Sequence, residues 1–150
     1  MPKSEDEQVT LNIILQNKLE NIIHVTDAKN VRRVLFIALQ LTEAGLPFVM
    51  ALNMDDEERT RGITIDKKEI SRILGVDVIS TIATQKKGIK ELCKSISQKK
   101  TSAFKTEYDA ELENAIEEVV KIIPDSHISK RFLCLLLLAE DPSVKKTYCR

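Results

Sequence analysis

Asn53 and Asp56 stand three residues apart, directly after the apolar run Phe48-Val49-Met50-Ala51-Leu52. An amide that both donates and accepts, followed by a carboxylate that accepts two N–H donors, suits recognition of a ligand edge rather than bond cleavage. The same residues, continued by Asp55, Glu57 and Glu58, also read as an ordinary polar turn whose acids open a helix. A second polar cluster, Ser80-Thr81-Ile82-Ala83-Thr84, closes another apolar run further on. The remaining candidates are weaker. His24 lies inside an apolar run and His127 in a polar stretch, and neither has an acid or thiol at catalytic spacing, so both read as core or surface histidines. Asp27 reads as a helix cap. The three cysteines, Cys93, Cys134 and Cys149, form no C-x-x-C and no cluster with histidine. They support neither a disulfide framework nor a metal site. Cys93 and Cys134 fall among apolar helical positions and are expected to be buried and inert.

The elements that must position these groups alternate in type. Val9, Ile13, Ile14 and Leu19 recur at near-helical spacing after an acidic first turn, with Ser4 as the N-cap. Residues 21–27 are a β-branched run that reads as a buried strand. A helix follows, with Val31, Val34, Leu35, Ala38, Leu39 and Thr42 on one face, and stops at Gly45 with Pro47 beyond. Phe48–Asn53 is a second strand, residues 67–74 a short helix capped by Gly75, residues 76–80 a third strand, and residues 88–96 another helix. This β-α-β-α-β pattern predicts an α/β fold, a parallel sheet of about three strands in sequence order with helices on its faces. Residues 95–106 read as a linker. Tyr108, Leu112, Ala115, Ile116, Val119 and Ile123 then mark an acidic amphipathic helix ended by Pro124, and residues 129–140 a helix apolar nearly all round. The second part is a small helical appendage.

Composition excludes several classes. With 23 basic and 23 acidic residues, the 150-residue chain has no global charge to draw it to nucleic acid or an anionic membrane. Its longest apolar run, Phe132 to Ala139, is far short of the roughly 20 residues that span a bilayer. The acidic start lacks the apolar core of a signal peptide, and the cysteine usage is that of a cytoplasmic protein. Seven lysines lie between Lys86 and Lys105 against one acid, Glu91. Phe104 is the one aromatic among them, so a solvated face with a linker fits better than a nucleic-acid patch.

Taken together, Asn53-Met54-Asp55-Asp56 at the end of one strand and Ser80 to Thr84 at the end of the next resemble the guanine-recognition motifs of GTPases. That resemblance implies a role for each residue. Asp56 accepts N1–H and N2–H₂ of guanine, a donor pair that adenine lacks. Such discrimination reaches about 10⁴-fold, because the wrong base leaves a buried group unpaired. Asn53 braces the neighbouring loops or contacts the base. A backbone N–H near Ala83 meets the guanine O6, which leaves the side chains of Ile82 and Thr84 free to vary. Longer stretches narrow the family: residues 24–30 (His-Val-Thr-Asp-Ala-Lys-Asn), 39–47 (Leu-Gln-Leu-Thr-Glu-Ala-Gly-Leu-Pro), 51–57 (Ala-Leu-Asn-Met-Asp-Asp-Glu), 61–66 (Arg-Gly-Ile-Thr-Ile-Asp) and 74–76 (Leu-Gly-Val). Together they closely resemble the cytosolic G domain of FeoB-type ferrous iron transporters. Met54 stands where most small GTPases carry lysine and where this family carries methionine, an apolar surface for the base. Ser4 to Glu7 is similar to the segment after that family's switch II region. The chain from Glu107 on is similar to the start of the family's helical domain. The resemblance therefore divides the chain into residues 1–100, the C-terminal half of a G domain, and residues 101–150, part of a helical domain.

No glycine precedes Gly45, so the phosphate-binding G-x-x-x-x-G-K-[ST] has no place upstream of it, and no D-x-x-G precedes the first helix. On this resemblance the chain retains guanine recognition without phosphate chemistry or a membrane permease. It requires no cofactor, and GTP or GDP binds weakly. By itself it neither hydrolyses GTP nor moves iron. In such G domains the phosphate-loop strand lies beside the strand matching residues 22–26. An open edge at Ile22–Thr26 is therefore expected to drive self-association or pairing with a separate polypeptide. Two other readings stay open: a non-enzymatic module that regulates an intact FeoB-type partner, and an unrelated α/β protein with a chance N-x-x-D.

Overall fold

The computed structural model describes residues 5–27, 31–53 and 65–144. They form two compact units, one spanning Glu20–Lys105 and the other combining Met1–Leu19 with Thr106–Arg150.

In the first unit the apolar runs become three parallel strands, β1 (Ile22–Asp27), β2 (Phe48–Asn53) and β3 (Val78–Thr81), in the order β1-β2-β3. The register pairs Ile22 with Phe48 through Asp27 with Asn53, and Met50 with Val78 through Asn53 with Thr81. Asp27, Asn53 and Thr81 therefore end their strands in one row. Phe48 to Leu52 are all buried, as expected of a central strand covered on both faces. The first strand was expected to be buried as well, but with β2 on one side only it is an edge. Its Ile23 and Val25 are 44% and 65% exposed.

Helix α2 (Val31–Glu43) packs on β1 and buries Ala38, Leu41 and Thr42. It ends at Gly45, whose φ of 69° is the left-handed turn that glycine takes without strain. Helix α3 (Lys67–Leu74) starts at Asp66, whose side chain accepts the Glu69 N–H at 3.0 Å, and ends at Gly75. Helix α4 (Ile89–Ile96) packs on β2 and β3 with Ser95 buried and Leu92 and Ile96 half-buried. That inward face leaves Cys93 on the solvent side, so the expectation of a buried Cys93 fails, whereas Cys134 is buried.

The stretch read as a linker is partly tied down. Phe48 N–H donates to the Lys100 carbonyl at 3.2 Å, and Pro47 and Thr101 form an antiparallel bridge. Asp77, just before β3, accepts from Ser95 and from Lys100 Nζ. Burial works against the Asp77 carboxylate, but these two hydrogen bonds and the Lys100 charge outweigh it and hold its pKa below the ordinary value.

In the second unit, α1 (Glu5–Gln16) buries Leu11 and Leu15 rather than the expected Val9 and Ile13, which are 56% and 50% exposed. Both pairs share the four-residue spacing, so periodicity alone cannot choose between them. Ser4, the expected cap, lies outside the described residues. Helices α5 (Ala110–Val120) and α6 (Lys130–Leu138) pack together. The core of this unit includes Ile116, Ile123, Phe132, Leu133, Cys134 and Val144. Asp109 and Ser129 cap the two helices through the N–H groups of Leu112 and Phe132. Tyr108 precedes α5 instead of joining its stripe. Arg131 makes two 2.7 Å bonds to the Glu113 carboxylate, donates to the Thr106 carbonyl at 2.8 Å, and lies 5.5 Å from the Tyr108 ring centroid.

Candidate functional site

The row of strand ends carries the site. Asn53 is the last residue of β2, half-buried between the ends of β1 and β3. Its Oδ1 accepts the Ala83 backbone N–H at 3.1 Å and lies 3.4 Å from the Thr81 hydroxyl. That hydroxyl also reaches the Leu52 carbonyl at 3.3 Å, and Thr26 Oγ1 donates to the Ala51 carbonyl at 3.2 Å. Threonines on both flanking strands thus fasten the end of β2, and Asn53 fastens the loop after β3. Of the two roles expected for Asn53, the described geometry displays the bracing one.

That loop is tightly closed. Ile82 and Lys87 exchange two backbone hydrogen bonds of 3.2 and 3.3 Å. Between them Ala83–Gln85 form one turn of 3₁₀ helix, closed by Gln85 N–H to Ile82 O and Lys86 N–H to Ala83 O. Lys86 sits at φ 55° and Gly88 at φ 76°. A side chain at Gly88 would overlap the Ser80 carbonyl, so this glycine lets α4 start directly against β3. The first N–H groups of a helical turn have no partner within it. Ala83 gives its N–H to Asn53, and Thr84 N–H has no acceptor among the described residues. Both residues are exposed and Ile82 is half-buried. The geometry therefore puts the open donor at Thr84, one residue beyond Ala83.

Met54 and Asp56 lie outside the described residues. Asn53, Ile82, Ala83 and Thr84 are brought together. Three contributors have no role assigned to them from sequence: Thr26, Thr81 and Gly88. For the threonines the signal was position, since each sits within a residue of its strand's end. For Gly88 it was its place just before a helix. Among the described residues no group of three His, Cys, Asp or Glu side chains is arranged to hold a metal ion. A groove of about 420 Å³ lined by Lys67, Ser71, Arg72 and Asp77 shares no residue with this loop. What the site offers is fixed hydrogen-bonding geometry at the carboxyl ends of parallel strands, where open α/β sheets bind ligands.

Comparison with known proteins is decisive. The family model described as "Ferrous iron transport protein B" matches residues 1–96, and "FeoB cytosolic helical domain" matches residues 108–148. The chain belongs to the FeoB family. It is 34% identical over 142 residues to the Fe(2+) transporter FeoB of Escherichia coli K12, covering 92% of this chain and 18% of that protein. The FeoB transporter of Salmonella typhimurium is 38% identical over 89 residues, covering 59% of this chain and 12% of that protein. The chain thus spans less than a fifth of the curated FeoB proteins it matches.

Among solved structures, an S. thermophilus NFeoB mutant bound to GDP superposes with a TM-score of 0.84 at 30% identity, covering 98% of this chain and 59% of that one. The cytosolic domain of L. pneumophila FeoB gives 0.86 at 26% identity, covering 95% of this chain and 59% of that one. The three-stranded α/β sheet with its flanking helices matches part of these FeoB structures. The boundary between the two family models follows chain order, whereas packing places residues 5–19 with the C-terminal helices. Among the described residues no helix is long and apolar enough to cross a membrane.

Proposed function

We propose that this chain is the guanine-recognising portion of a FeoB-type ferrous iron transporter's GTP-binding region, working on the cytosolic side of the membrane. The observation that supports it is the Asn53 side chain, which ties the end of β2 to the Ala83–Gln85 turn and leaves Thr84 N–H without an acceptor among the described residues. In this reading guanine O6 accepts from that turn, Asp56 accepts N1–H and N2–H₂, and Met54 lies against the ring. The GDP-bound relative makes a guanine nucleotide the natural ligand to test. The 150 residues hold no G-x-x-x-x-G-K-[ST], so phosphate contacts and hydrolysis are not supplied by this chain. Base contacts alone offset little of the association cost, and affinity on the order of millimolar is expected. Ferrous iron transport belongs to the larger proteins of the family.

The experiment is a titration of the chain with GDP and ADP, followed by backbone amide NMR. GDP shifting Thr84 and Gln85 at millimolar concentration, with ADP silent, supports the reading. Equal shifts with both nucleotides overturn it. A second reading rests on β1, the outer strand of the three-stranded sheet, where Ile23 and Val25 are exposed. Through Ile22–Thr26 the chain associates with another copy or a separate polypeptide. Light scattering that finds only monomer at high concentration, unchanged in Val25→Lys, rules out the self-association.

A further inference from the structure

We propose that the solvent face of α4 and the loop before it, carrying Lys86, Lys87, Lys90 and Lys94, docks on an anionic lipid surface. The chain's overall neutrality conceals a division. Residues 20–105 hold 15 basic and 11 acidic side chains, and the remainder holds 8 and 12. Within the basic unit, Lys99 and Lys100 are committed to Glu20 and Asp77. Lys86, Lys87, Lys90 and Lys94 are all exposed and have no ion partner among the described residues.

The helix geometry makes them a surface. Leu92, Ser95 and Ile96 turn inward, so Lys90 and Lys94, one helical turn apart, lie near the centre of the outward side. Lys86 and Lys87 lie in the loop directly before α4, which Gly88 starts against β3. Glu91 is the one acid in this helix, a single negative charge three residues before Lys94 against four lysines. Beside the row, Ile89 is 39% exposed and Cys93 is exposed, an apolar margin that suits the boundary between headgroups and acyl chains.

A nucleic-acid strand fits this surface less well. Base stacking needs aromatic platforms, and the nearest aromatic in sequence, Phe104, is half-buried. A lysine near an anionic bilayer contributes about five-fold in binding, so the row of four reaches several hundred-fold at low salt. This inference rests on the transporter reading for the presence of a membrane, but its test does not depend on nucleotide.

The experiment is flotation of the 150-residue chain with vesicles of pure phosphatidylcholine or with about 30% phosphatidylserine, in ~0.05 M salt. Binding to the anionic vesicles at least tenfold above the neutral ones, lost at ~0.5 M salt, is expected. Lys90→Glu with Lys94→Glu should weaken it on the order of a hundredfold, and Lys90→Arg with Lys94→Arg should keep it. Lys18→Glu with Lys121→Glu makes the same net-charge change in the other unit and should leave binding within about fivefold of the unmodified chain, one lysine's contribution. Equal binding to neutral vesicles overturns the proposal. So does an equal loss in the Lys18/Lys121 variant, or displacement from vesicles by a single-stranded oligonucleotide at lower concentration than by free phosphatidylserine vesicles. GDP shifts at Thr84, measured separately on the same protein, test the guanine reading whichever way the vesicles behave.

Discussion

Gly88 offers a sharp quantitative test of how the recognition loop is built. Gly75 and Gly88 occupy nearly the same backbone conformation, φ 68° and 76°, so replacing either by alanine costs the strain of a left-handed non-glycine residue, about 1–2 kcal/mol. Their surroundings differ. The nearest atom to a Cβ at Gly75 is the Ala103 backbone N at 3.9 Å, an ordinary contact. At Gly88 the Cβ would overlap the Ser80 carbonyl, a backbone group that moves only if β3 or α4 moves with it. Overpacking of this kind adds roughly 1–3 kcal/mol. Urea denaturation followed by circular dichroism should therefore give a loss of about 1–2 kcal/mol for Gly75→Ala and about 2–5 kcal/mol for Gly88→Ala. Only Gly88→Ala should also shift the amide resonances of Ile82 to Lys87. Equal losses in the two variants would refute the argument that close approach, rather than backbone angle, fixes this glycine.

Three further outcomes follow from the same structure. The Asp77 pKa is lowered on folding, so its stabilising contribution is present above the unfolded value near 4 and is lost as pH falls through the folded value. Asp77→Asn should cost roughly 1–2 kcal/mol at pH 7 and flatten the decline of stability below about pH 4; an unchanged acid limb in denaturation curves contradicts this. Arg131→Lys should recover only part of the roughly 2 kcal/mol lost in Arg131→Ala, since lysine cannot span both Glu113 oxygens and the Thr106 carbonyl; thermal melts of the two variants decide it. In a Cys149→Ser background, Cys93 should react quickly with a thiol reagent under native conditions. Cys134, buried and with burial outweighing the Arg131 charge to raise its pKa, should react only on unfolding.

Much of this architecture was legible in the sequence because the strongest signals were local. Phe48–Asn53 is a continuous apolar run, and it is β2 at those bounds. Lys67–Leu74 between Asp66 and Gly75 is a helix with both caps in place. Strand order followed from the alternation of elements. What periodicity could not decide was which of two interleaved faces turns inward. Leu11 and Leu15 repeat at the same spacing as Val9 and Ile13, and only packing partners distinguish them. Cys93 failed for the same reason. At the site, residue types pointed to Asn53 and the turn at Ala83, and the backbone showed what they could not: Ala83 N–H is taken by Asn53, and Thr84 N–H has no acceptor among the described residues. Threonine hydroxyls that fasten strand ends carry no sequence signature beyond their position, so Thr26 and Thr81 emerged only with the register.

The central claim is that Asn53 arranges the turn after β3 for guanine. Its most direct test is amide NMR of the chain and of Asn53→Ala, each titrated with GDP and ADP. GDP alone should shift Thr84 and Gln85 in the unmodified chain. In Asn53→Ala the Ala83 amide should lose its hydrogen-bonded shift and the GDP response should fall about fivefold, corresponding to the loss of one hydrogen bond of about 1 kcal/mol. An undiminished GDP response in Asn53→Ala, or an ADP response equal to that of GDP, would contradict it.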